Sequence, residues 1–141
     1  MRFPISRGAI ALVAAASACT TETAPPPPPP SEPLPTLPSG TLVLDWTIDG
    51  TVDPNRCVAT GAAVIRIFVT FDNGASAGTF EQDCVAFATS ISLAPGRYTG
   101  GAFLVDVAGN PRTTTVPLDA FDIVGNDELR VPVDFPASSF F

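Results

Sequence analysis

The sequence contains no histidine and no lysine, and only one methionine, one tryptophan and one tyrosine among its 141 residues. The absence of histidine excludes Ser/His/Asp and Cys/His catalytic arrangements, and also histidine-ligated zinc and haem sites. A hydroxyl nucleophile needs a neighbouring base, so the remaining candidates are carboxylates and Tyr98, which we expect to face solvent. Paired carboxylates hydrolyse glycosides in some enzymes, but a small domain with short loops has no obvious cleft for them. We therefore expect that the protein is not an enzyme and has no catalytic residues.

Positive charge is also scarce, since seven arginines oppose 14 acidic residues and the formal net charge is −7. An acidic surface repels nucleic acid and anionic lipid headgroups, so we expect neither as a partner of the folded domain. Asp45, Asp49 and Asp53 are spaced by four residues, and a second acidic cluster occupies 126–128. Neither has the order of a calcium-binding loop, and in a strand Asp45 and Asp49 would lie about 13 Å apart. We interpret both clusters as solvated carboxylates and expect no metal ion and no cofactor.

The first 18 residues have the features of a secretory signal peptide. Arg2 and Arg7 provide its positive end, and residues 8–18 form an uncharged run that ends in small side chains. This run is too short to span a bilayer, which takes about 20 apolar residues. Ala16-Ser17-Ala18 satisfies ordinary signal peptidase, but with Cys19 these residues also resemble the lipobox of bacterial lipoproteins. The usual leucine of that box is Ala16 here, so both cleavage routes remain open.

The segment that follows favours a lipid anchor at Cys19. Residues 25–30 are six consecutive prolines, which adopt polyproline II without internal hydrogen bonds. Fully extended, residues 20–39 would span about 60 Å, which is the kind of spacer that a tethered domain needs. We therefore assign residues 19–39 to a disordered, lipid-anchored linker. Attachment through Cys19 makes the membrane a partner and locates the protein in the bacterial cell envelope, at the outer membrane.

From residue 40 onward, apolar and polar residues alternate, which is typical of strands. Proline and glycine, 16 and 11 of the 141 residues, favour turns over long helices, and no window of 12 residues has helical spacing. We predict strands over 41–49, 63–71, 79–82, 84–93, 97–107, 112–118 and 129–135. This pattern predicts a single all-β domain over residues 40–136, an antiparallel immunoglobulin-like sandwich of about seven strands. A small closed barrel is the alternative.

Turn residues divide these strands. Asp72-Asn73-Gly74 is the strongest hairpin signal, and Ala94-Pro95-Gly96 predicts a tight turn with Gly96 in the left-handed region. Pro117 indicates an edge strand or a strand broken at a bulge, and Pro132 indicates an edge strand. The alternation directs Trp46, Phe71, Val85 and Phe87 inward, together with Leu42, Leu44, Ile48, Ile65, Ile67, Val69, Thr89, Ile91 and Leu93. The outward residues are mostly small.

The segment SLAPGRYTGG resembles a stretch of bacterial sandwiches of the fibronectin and carboxypeptidase-regulatory-like types, in which Leu-x-Pro-Gly-x-Tyr opens a strand. The matching residues are Leu93, Pro95, Gly96 and Tyr98. Residues 40–136 are similar as a whole to domains of bacterial lipoproteins. The resemblance implies the immunoglobulin-like fold and the envelope location, and it transfers no functional residue. Gly100-Gly101 departs from the usual β-branched residues, which predicts a weak or bulged strand there.

The three cysteines predict one disulfide. An odd thiol is a liability in an exported protein, and lipidation of Cys19 would leave Cys57 and Cys84 as a pair. The alternative is two buried free cysteines that pack as small apolar side chains.

Two functions are compatible with these features. We favour a non-enzymatic envelope lipoprotein whose sandwich binds or assembles with an envelope protein or glycan of unknown identity. The alternative is a secreted or surface carbohydrate- or adhesion-type module, which an aromatic pair on an exposed sheet face would support. We interpret Trp46 as a core residue rather than a sugar platform. The tail 137–141, with Phe140 and Phe141, is either a docking peptide or a segment that folds back onto the sandwich.

Overall fold

The computed structural model describes residues 24–28 and 35–141. The predicted signal peptide of residues 1–18 and the predicted lipidation site Cys19 lie outside the described residues. Residues 24–28 are exposed and have no regular secondary structure, and residues 35–141 form a separate compact unit. Within these two ranges, no helix has the length and apolar character required to cross a membrane.

The compact unit is a β-sandwich of seven strands with one short α-helix, α1 (Pro54–Thr60). Two 3₁₀ helices cover Cys84–Ala86 and Ala137–Ser139. The strands are β1 (Gly40–Ile48), β2 (Val64–Phe71), β3 (Ser76–Asp83), β4 (Ala88–Leu93), β5 (Gly96–Val105), β6 (Val116–Ile123) and β7 (Glu128–Phe135).

The strands form two sheets, and the all-β sandwich predicted from the alternation is confirmed. The three-stranded sheet has the order β4-β1-β7, and the four-stranded sheet has the order β3-β2-β5-β6. β3, β4, β6 and β7 are therefore edge strands, which agrees with Pro117 in β6 and Pro132 in β7. The pairing departs from the prediction in one place, because β1 and β7 are parallel. Parallel neighbours cannot be joined by a tight turn, and here the whole domain separates the two strands along the chain.

The core lies between the sheets and contains the alternating side chains of β1 and β2. Trp46 is buried and its indole nitrogen donates to the carbonyl oxygen of Cys84 over 2.9 Å, which confirms it as a core residue. The other inward residues of these two strands that are buried are Leu42, Leu44, Ile48, Ile65, Ile67 and Val69. The alternation predicts Phe71 in the core, and this prediction is wrong. Phe71 is 41% exposed at the end of β2, where its ring contacts Tyr98 with 5.3 Å between centroids.

Tyr98 is buried, which corrects the expectation of a solvent-facing tyrosine. Its hydroxyl donates to the carbonyl oxygen of Ala94 over 2.8 Å, and its ring stacks on Phe121. A tyrosine that bonds back to the preceding turn is a feature of immunoglobulin-type sandwiches at the crossing between sheets. The turn itself differs from the prediction, since Gly96 has no positive φ and already belongs to β5.

The double glycine of β5 lies at the predicted irregularity. The register between β5 and β6 shifts between Tyr98 and Gly100. A Cβ atom at Gly100 would lie 2.3 Å from the carbonyl oxygen of Phe68, and one at Gly101 would lie 2.6 Å from the Phe68 ring. Glycine is required at position 100 because the backbone of β2 approaches so closely, whereas a side chain at position 101 would have to displace the Phe68 ring.

Two segments adopt helix where the alternation predicted loop or strand. Asp53 caps α1 through the amide of Asn55, Pro54 opens it, and Gly61 ends it with φ 69°; these are ordinary signals of a short helix. The strand predicted over 84–93 begins only at Ala88, because the chain first forms a 3₁₀ turn. As a result Val85 is exposed rather than inward.

The tail folds back onto the sandwich. Thr113 bridges to Phe140, the amide of Thr114 donates to the carbonyl oxygen of Ser139 over 2.8 Å, and Phe140 packs against the core. Residues 137–140 therefore belong to the domain, while the side chain of Phe141 is exposed.

Candidate binding groove

The predicted disulfide is present and ties α1 to the approach to β4. Cys57 on α1 and Cys84 in the 3₁₀ turn are bonded, with 6.0 Å between their Cα atoms. Both cysteines are 1% exposed. The carbonyl oxygen of Cys84 also accepts the hydrogen bond of the Trp46 indole, so the bridge connects α1 to a turn that is itself bonded to β1.

The same turn forms one wall of a groove on the outer side of the three-stranded sheet. The groove, which we call the Phe87 groove, encloses about 440 Å³. Its apolar residues come from separate elements that the fold brings together: the end of β1, the loop before α1, the start of β4 and the middle of β7. It is lined by Asp45, Trp46, Thr47, Val52, Phe87, Pro132, Val133 and Asp134.

Phe87 adopts a backbone conformation that bulky residues rarely occupy. Its φ of 55° and ψ of 4° place it in the left-handed region, which glycine and asparagine visit readily but a phenylalanine does not. Two contacts hold it there: its carbonyl oxygen accepts from the amide of Trp46 over 3.0 Å, and its ring lies 6.3 Å from the indole. Such a conformation costs about 1–3 kcal/mol and often marks a functional site.

Carboxylates border the groove on both sides. Asp134 accepts from the hydroxyl of Thr47 over 2.6 Å and from the amide of Gly50 over 2.9 Å. Asp45 is paired with Arg130 over 3.1 Å. The groove thus combines an aromatic and aliphatic lining with oxygen acceptors at its rim. Its chemistry suits a ligand that has an apolar face and hydrogen-bond donors at its edge.

Asp49 and Asp53, also named from the sequence, have structural partners. Asp49 lies 3.6 Å from Arg56, and Asp53 caps α1. In the loop after β5, hydrogen bonds from the backbone and side chain of Asn110 lower the pKa of Asp106. A carboxylate that is ionised and bonded in this way stabilises its own loop. Within residues 24–28 and 35–141, no three acidic or cysteine side chains come together in a metal-binding arrangement.

The outer face of the four-stranded sheet carries two large aromatic residues. Phe68 on β2 and Phe103 on β5 both point outward and are half-buried, so they are two large residues among outward positions that are small on β4. The Phe68 ring covers Gly101. Phe103 lies under the guanidinium group of Arg66, which is 5.8 Å from the ring centroid and is also bound to Glu81. Strand alternation contained this signal, because both residues fall between inward positions.

The fold and the groove define the chain as a small disulfide-bonded β-sandwich with a concave surface site. No protein-family model matches the sequence, and no curated protein matches it either. Two solved structures from Bacteroides thetaiotaomicron VPI-5482 are similar to it. One, a leucine-rich repeat protein, has 14% identity and a TM-score of 0.43 over 73% of this chain and 15% of its own. The other, described as putative polysaccharide binding proteins (DUF1812), has 10% identity and a TM-score of 0.38 over 66% of this chain and 46% of its own. The chain thus spans less than half of either protein, and neither likeness assigns it to a family.

Proposed function

We propose that this protein is an exported, lipid-anchored binding protein of the bacterial cell envelope, and that it is not an enzyme. The signal-peptide features of residues 1–18, the thiol of Cys19 and the proline run support export and attachment. The disulfide between Cys57 and Cys84 supports the same conclusion, because such bonds persist in oxidising compartments. In this proposal the sandwich is the binding domain, and the proline segment is the spacer between it and the membrane.

The observation that carries the binding role is the Phe87 groove. Its volume of about 440 Å³ is within the usual size of ligand sites, which are concave, mostly apolar and edged by a few polar groups. The left-handed backbone of Phe87 strengthens the argument. Asparagine or glycine would adopt this backbone conformation with less strain. We infer that the phenylalanine ring contributes to the lining of the groove and that this contribution offsets the strain.

Binding suits the groove better than catalysis. Asp45 is paired with Arg130, and Oδ1 of Asp134 accepts both of the hydrogen bonds of that carboxylate, which leaves Oδ2 as an acceptor for a donor group of a ligand. An occupant with an apolar face and donor groups, such as a segment of an envelope protein or a glycan, would satisfy both parts of the lining. We also propose that the protein takes no metal cofactor.

Site-specific photo-crosslinking in native membranes tests the groove. A photoreactive residue at Val52, in the groove and 63% exposed, should give a crosslinked envelope component. The matched control is Val124, which is 57% exposed in the turn between β6 and β7. Val52→Asp should then prevent capture of the same component by the full-length protein, and Val124→Asp should not. Equal crosslinking from both positions would remove the basis of the proposal.

The carbohydrate or adhesion module is a second candidate, and the outward pair Phe68 and Phe103 favours it. Aromatic faces stack on the apolar faces of sugar rings, and these two half-buried rings lie on the same outer sheet face, where the Arg66 guanidinium group lies over Phe103. Phe103→Ala should reduce retention of the full-length protein in a gel that contains envelope polysaccharide. Phe71→Ala, at an exposed aromatic of the β2–β3 hairpin, is the control. If both variants were retained in the gel as strongly as the native protein, this sheet face would be excluded as a polysaccharide-binding surface.

A further inference from the structure

The four edge strands of the sandwich differ in their protection against pairing with other chains. Soluble proteins usually place charges or proline on edge strands, because an unprotected edge presents unpaired backbone groups. Three of the edges follow this rule: β7 contains Pro132 with Glu128, Arg130 and Asp134, β6 contains Pro117 with Asp119 and Asp122, and β3 contains Glu81 and Asp83. β4, with the sequence ATSISL, contains neither a charge nor a proline.

The free side of β4 is accessible along the strand. Ala88, Ser90 and Ser92 are exposed, whereas Ile91 and Leu93 point into the core. Its pairing with β1 uses one side, and no residue among 24–28 and 35–141 pairs with the other side. In an edge strand, alternate residues direct both the N–H and the C=O away from the sheet. β4 therefore presents a short row of backbone donors and acceptors.

We propose that β4 pairs with β4 of a second copy of this chain, antiparallel across a two-fold axis at Ser90. In this register Ser90 faces its own counterpart, Ala88 faces Ser92, and Thr89 faces Ile91. Side chains that face each other in an antiparallel pair lie on the same side of the sheet. The register therefore keeps the small residues outside and the apolar residues toward the cores. It joins two three-stranded sheets into one sheet of six strands.

Charge restricts where two copies of this chain can meet. The chain is acidic, with a net charge of −7, so two copies repel each other over most approaches. β4 is the edge strand without a charged residue, so two copies can meet there without bringing charged side chains together.

The contact is small, so attachment to a membrane matters for its occupancy. Interfaces far below about 1,200 Å² are weak between freely diffusing proteins. Copies that share a bilayer meet at a much higher effective concentration. This step rests on the proposed lipid anchor at Cys19, whereas the strand pairing itself does not depend on the Phe87 groove.

Cysteine crosslinking of the full-length protein in its own membrane tests the pairing. Ser90→Cys, treated with a short bifunctional maleimide, should give a product of twice the chain mass. Thr79→Cys is the matched control, since Thr79 is exposed and lies on β3, the edge strand of the other sheet. The unsubstituted chain controls for crosslinking through Cys19. Crosslinking of Ser90→Cys no greater than that of Thr79→Cys would overturn the proposal, as would a product that contains a different protein.

A charge on the edge provides the second test. Ser90→Lys places two ammonium groups opposite each other and should weaken association of fluorescently labelled chains in lipid vesicles about tenfold. Thr79→Lys should change it less than about twofold, because that site lies outside the contact. Equal effects of the two lysines would contradict the pairing. If Ser90→Lys failed to fold, the comparison of crosslinking between Ser90→Cys and Thr79→Cys would be the test of the pairing. Loss of ligand capture by Val52→Asp with intact crosslinking at Ser90 would separate the two proposals.

Discussion

Removal of the disulfide by the double substitution Cys57→Ala and Cys84→Ala should destabilise the domain strongly. The bond links residues 27 positions apart and joins α1 to the turn that precedes β4. α1 has seven residues, and Cys57 is its one buried residue. A helix of this length does not persist without tertiary contacts, so α1 depends on the bridge for much of its order.

The magnitude follows from the closed loop. In the chain-entropy model, a cross-link over this separation stabilises the folded state by about 3.5 kcal/mol at 25 °C. For a domain of this size, each kcal/mol corresponds to about 4–8 °C in the midpoint of thermal unfolding. The double variant should therefore melt about 15–25 °C below the native protein. The small volume change from cysteine to alanine at two buried positions adds to the loss.

Calorimetry of the two proteins under identical oxidising conditions measures this difference. Hydrogen exchange should also show that amides of α1 lose protection before those of β1 and β2. Unreduced native protein should give no thiol labelling at Cys57 and Cys84 after denaturation, which provides the control. A midpoint lowered by less than about 5 °C, equivalent to roughly 1 kcal/mol, would refute the reasoning from loop closure.

Three further substitutions have defined outcomes. Tyr98→Phe removes the hydroxyl that bonds to the carbonyl oxygen of Ala94 and should lower the free energy of unfolding by about 1–2 kcal/mol in urea titrations; no change would mean that water satisfies that carbonyl. Gly100→Ala drives a methyl group against the carbonyl oxygen of Phe68 and should cost more than about 2 kcal/mol by the same measurement, whereas a stable variant would contradict the close approach. Cys19→Ser should release folded protein from the membrane fraction, and a native N-terminus that carries an unmodified Cys19 by intact mass would refute the anchor.

The sequence predicted the class of fold because strand alternation and turn residues are local. β1 shows this well: Leu42, Leu44, Trp46 and Ile48 occupy every second position, and all four are buried. Proline marked two edge strands correctly, since it cannot donate a ladder hydrogen bond. The disulfide followed from the count of cysteines rather than from any pattern of spacing. The signals of α1 were also present at Asp53, Pro54 and Gly61, but a search for long helical periodicity does not detect a helix of seven residues.

The candidate sites depended on the tertiary structure. Asp45, Val52, Phe87 and Asp134 belong to four segments of the chain, and only the folding of β1, β4 and β7 into one sheet brings them to the same groove. The left-handed backbone of Phe87 is imposed by its bond to Trp46, because local sterics alone disfavour it for phenylalanine. β4 is an edge strand without a charge or a proline, and this follows from the order of strands in each sheet, which the sequence does not give. Local preferences thus determined the strands, and contacts between residues far apart in the chain decided which surfaces those strands expose.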